Sequence, residues 1–104
     1  MLILRALVND ARIARQVAAV ARKFARDVVR IRFHIGEDWT GDPSIFLRIL
    51  LKDKATTDDR LGVVTRRVED ALRDKLQPRD MGLIAYFDFR AESEQAELKD
   101  PDWA

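Results

Sequence analysis

A chain of 104 residues has room for one hydrophobic core and no second one. It has no cysteine, which excludes a disulfide framework and thiolate chemistry, and a single histidine, which argues against a structural zinc site built from this chain alone. Net charge is only +1 but unevenly spread: residues 1–34 carry eight Arg or Lys against two Asp, a net of +6, while residues 35–104 carry eleven against sixteen acids, a net of −5. That division suits self-complementary assembly or a basic surface for an anionic partner.

The opening "MLILRALV" is an apolar run broken by Arg5, followed by polar helix-forming residues with no small-residue cleavage pattern, so it does not read as a signal peptide. No stretch approaches the roughly 20 apolar residues of a membrane span. The expectation is a soluble, cytoplasmic protein. Asn9-Asp10 can cap a helix beginning near Ala11, which would leave residues 2–8 as a short strand, although a helical reading of them stays open.

From Ala11 to Val28, Ile13, Val17, Val20, Phe24 and Val28 recur three or four apart and form one stripe of an amphipathic helix. Arg12, Arg15, Arg22, Lys23 and Arg26 fall largely off that stripe, as a solvated face or as an electrostatic footprint for nucleic acid. The period then changes to two. In "VVRIRFHI", Val29, Ile31, Phe33 and Ile35 oppose Arg30, Arg32 and His34; in "SIFLRILLK", Ile45, Leu47, Ile49 and Leu51 oppose Phe46, Arg48, Leu50 and Lys52. Both read as strands.

Leu61, Val64, Val68, Leu72 and Leu76 return to helical spacing, with Thr56 as the expected N-cap, Asp58 and Asp59 at the positive helix start, and a stop at Gln77-Pro78. "GLIAYFDFR" is a third alternating strand, with Leu83, Ala85, Phe87 and Phe89 opposite Ile84, Tyr86, Asp88 and Arg90. Residues 1–90 then form one domain, and residues 91–104 an acidic tail or short surface helix. Trp103 in that tail is expected to dock on the basic first helix of its own or a neighbouring chain.

The order α-β-β-α-β predicts an α+β fold of the split βαβ type. Its sheet is expected to be three-stranded and antiparallel, with the first strand central and both helices on one face; a ferredoxin-like βαββαβ arrangement is the alternative if residues 2–8 form a strand. "GEDWTGDP" is the connection between the first two strands, with Gly36 and Gly41 supplying permissive angles. Trp39 within it either folds back onto the core or anchors a partner. His34, Glu37, Asp38 and Asp42 are the residues a Mn²⁺ or Mg²⁺ site would use, but their spacing matches no metal motif. His34 lacks an identifiable catalytic partner, and no nucleophile elbow, P-loop or dinucleotide fingerprint occurs. Neither an enzyme nor a cofactor is expected.

The segments "IGEDWTGDPSIFLRILL" and "SEQAELKDPDWA" resemble a family of small uncharacterised bacterial proteins encoded next to HEPN-domain proteins. The resemblance covers most of residues 35–104 and implies a partner: HEPN proteins include ribonuclease toxins, so the chain would be an antitoxin or accessory subunit.

The sheet face opposite the helices would display Arg30, Arg32, His34, Phe46, Arg48, Leu50, Lys52, Ile84, Tyr86, Asp88 and Arg90, an apolar and aromatic set interleaved with cations. Two functions fit. One is protein interaction, through self-association or a partner protein, with Phe46, Leu50, Ile84, Tyr86, Trp39 and Trp103 in the interface. The other is single-stranded RNA binding, with Phe46 and Tyr86 stacking bases and Arg30, Arg32, His34 and Arg48 along the backbone. No Lys/Arg-Gly-Phe/Tyr signature strand or G-x-x-G loop supports the second.

Overall fold

The computed structural model describes residues 9–104, so the question of strand or helix at residues 2–8 lies outside the described residues. Helix α1 (Asp10–Lys23) leads into strand β1 (Val28–Glu37), a hairpin, and strand β2 (Pro43–Leu51). After a 3₁₀ turn at Asp53–Ala55 come helix α2 (Leu61–Leu76), strand β3 (Ile84–Ala91) and a short helix α3 (Glu92–Leu98). The fold is α+β, as the alternation of periods predicts.

The sheet is mixed, which corrects the antiparallel expectation: β1 and β2 are antiparallel, β2 and β3 parallel, in the order β1-β2-β3. The central strand is β2 and not β1. The reason is that α2 joins adjacent strands directly, without crossing over β1. Because β2 and β3 hydrogen-bond to each other, nothing lies between them, where a ferredoxin-like order would insert its first strand.

Both helices cover one face. Ile13, Val17 and Val20 of α1 and Val64, Val68, Leu72 and Leu76 of α2 share a core with Ile45, Leu47, Ile49 and Leu51 of β2. The second strand is buried so completely because it is central, with neighbours on both sides and helices above. One core position differs from the simple alternation: Val28 pairs with Leu51 and Arg30 with Leu50, so Val29 is the extra residue of a β-bulge and turns partly to solvent.

The helix ends have identifiable causes. Asn9 caps α1 by accepting a hydrogen bond from the Arg12 amide at 3.2 Å. Thr56 does not cap α2 as expected: its hydroxyl donates to the Asp53 carbonyl at 2.7 Å, and α2 starts only after a further turn, at Leu61, with Arg60 in the N-cap position. Arg60 instead forms a two-pronged pair with the largely buried Asp27, at 3.0 and 3.1 Å, tying the end of the α1–β1 connection to the start of α2. At the other end Gln77 adopts a left-handed conformation and Pro78 follows, so α2 stops where proline requires it to.

Candidate functional site

The register sorts the uncovered sheet face into rows. From one end to the other they are Arg30, Leu50 and Arg90; Arg32, Arg48 and Asp88; His34, Phe46 and Tyr86; and Gly36, Ser44 and Ile84. The two ends of this face are built differently.

At the first row the chain covers itself. The residues after α3 form a 3₁₀ turn, Pro101–Trp103, that lies across the row. Arg30 donates to the Trp103 carbonyl from Nε and Nη2, at 3.3 and 2.9 Å, and the Arg90 guanidinium sits 4.4 Å from the Trp103 ring centroid. Arg90 also holds Gln95 at 2.8 Å and Asp100 at 3.4 Å. Trp103 is 6% exposed, and Leu50, between the two arginines, 4%. Docking of the tail on the first helix is thereby corrected: the tryptophan finds cations on the sheet, where it also shields a leucine from water. Leu50 and Trp103 belong to an internal contact, and Arg30 is committed to it.

At the other end the aromatic row stays open. Phe46 and Tyr86 rings lie 5.4 Å apart and 14° from parallel, and His34 stacks on Phe46 at 6.1 Å and 28°. Parallel rings at 5.4 Å are too close to lie side by side in one plane, so they are offset-stacked and direct edges outward. Gly36 makes room for this, because a Cβ there would meet His34 Nε2 at 3.0 Å. Trp39 extends the row from the hairpin loop, 5.5 Å from Tyr86 and tilted by 52° while 81% exposed. Ile84 borders it at 42% exposed. The two alternatives for Trp39 meet here: one face packs and the rest is free.

The loop is organised by Asp38. Its Oδ1 accepts from the Thr40 hydroxyl at 2.6 Å, the Thr40 amide at 2.9 Å and the Asp42 amide at 3.0 Å; its Oδ2 accepts from the Tyr86 hydroxyl at 2.7 Å. Gly41, at φ 87°, completes the turn in a conformation that disfavours other residues. The Thr40 hydroxyl, then the Tyr86 hydroxyl, hold the Asp38 carboxyl well below the usual carboxylate range. The same bond to Asp38 is the main reason the Tyr86 phenol is pushed up. Sequence reasoning missed this anchor, although the Asp-x-Thr spacing in a short loop is the signal of a side chain that bonds the backbone two residues on.

Between the two ends, Arg32 and Arg48 have no carboxylate partner among the described residues. His34, Glu37, Asp38 and Asp42 do not converge, and no group of three or more metal-ligating side chains comes together among the described residues. No described helix is long and apolar enough to cross a membrane. No protein-family model, curated protein or solved structure matches this chain.

Proposed function

We propose that the chain is a protein-binding module that receives a partner protein on the open end of its sheet face. The observation that carries this reading is the row of His34, Phe46, Tyr86 and Trp39, whose ring edges and exposed indole form a contiguous aromatic surface pre-set by the Asp38–Tyr86 bond. Clustered aromatics held in fixed positions are the usual anchors of protein interfaces. Arg32 and Arg48 beside them suit an acidic partner. The resemblance to proteins encoded beside HEPN-domain genes makes a HEPN protein the first partner to test, with this chain as antitoxin or accessory subunit. The role is binding and not catalysis.

Single-stranded RNA is a second reading, favoured by Arg32 and Arg48, which have no carboxylate partner among the described residues, and by the free face of Trp39. Phe46 and Tyr86 support it less, since their stacked faces are not both open to a base.

Affinity purification from the native organism, with bound protein and RNA both identified, tests the proposal. A protein partner retained at high salt and lost in Phe46→Glu is the expected result. The substitution should weaken binding by about 2 kcal/mol or more, because it strands a charge in a desolvated patch. Retention of the partner by both Phe46→Glu and Trp39→Ala would sink the reading. Bound RNA that dissociates steeply with salt would replace it with the second.

A further inference from the structure

We infer that β3 is the seam of a homodimer, in which two copies of this chain pair β3 against β3 around a twofold axis and join their sheets. Strand β3 is an edge: β2 pairs with one side of it, and no described strand pairs with the other. An edge of this length is normally blunted by a bulge, a proline or a lysine. The opposite edge, β1, has such a feature in the bulge at Val29, whereas β3 keeps a regular register from Ile84 to Ala91 and contains neither proline nor lysine.

The inner side of the same edge is also unfinished. Helix α2 buries Val64, Val68 and Leu72 in the core but covers Phe87 and Phe89 only in part, and a groove of about 760 Å³ runs between α2 and these phenylalanines. Gly62 and Thr65 line its helix side. An added strand about 4.8 Å beyond β3 would supply main-chain partners, and a helix carried with that strand would close the groove.

Charge selects a second copy as the occupant. An interface around a twofold axis must be complementary to itself. The groove meets that condition, because Arg66 and the acids Glu69 and Asp70 line it on one helix, and a twofold axis sets α2 antiparallel to its copy, with cation facing acid in both directions. The middle of the open sheet face meets it less well, because two cations, Arg32 and Arg48, share one acid, Asp88.

Size-exclusion chromatography with light scattering, across a dilution series, tests the seam on three proteins. Wild type is expected at about twice 12.0 kDa. Gly62→Arg is expected to halve that mass without loss of helical circular dichroism. Its Cβ meets nothing within 4 Å and arginine favours helix over glycine, so the new side chain fills the groove and not the core. Phe46→Glu should remain a dimer, which separates this seam from the open-face reading. Wild type that is monomeric throughout, a dimer that survives Gly62→Arg, or one that Phe46→Glu dissociates overturns the inference. Hydrogen exchange adds a second readout: the β3 amides should gain protection as concentration rises, and protection independent of concentration counts against the seam.

Discussion

The two ends of the open sheet face use the same strands and the same alternation, yet one is sealed and the other exposed. At the sealed end Leu50 lies under Trp103, fixed by Arg30 and Arg90; at the open end Phe46 and Tyr86 face outward beside Trp39. Both ends gather aromatic rings and arginines. What distinguishes them is what the arginines hold: Arg30 and Arg90 are satisfied within the chain, whereas Arg32 and Arg48 have no carboxylate among the described residues. A covered apolar patch contributes to stability, and an uncovered one beside free cations is available for binding.

Substitutions at the two ends should separate those roles. The largest effect is expected for Trp103→Ala, which removes a buried indole and uncovers Leu50. Stability should fall by about 3 kcal/mol, lowering the thermal midpoint by roughly 10–20 °C. A shift of only a degree or two would mean that the sealed end contributes no more than the open one. Arg30→Ala comes next at about 1–2 kcal/mol, from two charge-assisted bonds to one carbonyl, measured by urea denaturation. Trp39→Ala should change stability by about 0.5 kcal/mol or less, since that side chain is largely exposed, while it weakens partner binding at least about tenfold.

The smallest effect is on pH. Asp38 is held below its unfolded value, so its bonds contribute fully above about pH 4 and are lost as pH falls through its lowered folded-state value. Tyr86 is raised, so its contribution is complete below about pH 10 and is lost as pH rises past that. Emission from Trp39 should therefore stay flat between those limits and change outside them. In Asp38→Asn the acid-side change should disappear; its persistence would remove Asp38 as the anchor.

How much of this was legible in the sequence follows from the range of each interaction. Strands and helices were legible because Val64, Val68 and Leu72, or Ile45, Leu47 and Ile49, declare their period within a few residues. The central place of β2 was not, since pairing depends on which strand α2 carries β3 beside. Val28 and Val29 are both apolar, so alternation alone could not show which one the bulge turns outward. The open end of the candidate site was legible as a row, with His34, Phe46 and Tyr86 on one face. Its sealing at Leu50 was not, because Trp103 reaches the sheet from a segment with no buried period, guided only by two arginines distant in sequence.

The direct parallel pairing of β2 and β3 also sets the order in which this chain assembles. β1 and β2 are neighbours across a loop that Asp38 closes locally, so their contacts need little chain to be immobilised first. β3 can join only after the chain has returned through α2, a closure that costs about 1–2 kcal/mol more than that of the hairpin loop. The hairpin with α1 is therefore the early unit and β3 the late one. Destabilising changes in β3 should accelerate unfolding and leave the refolding rate nearly untouched.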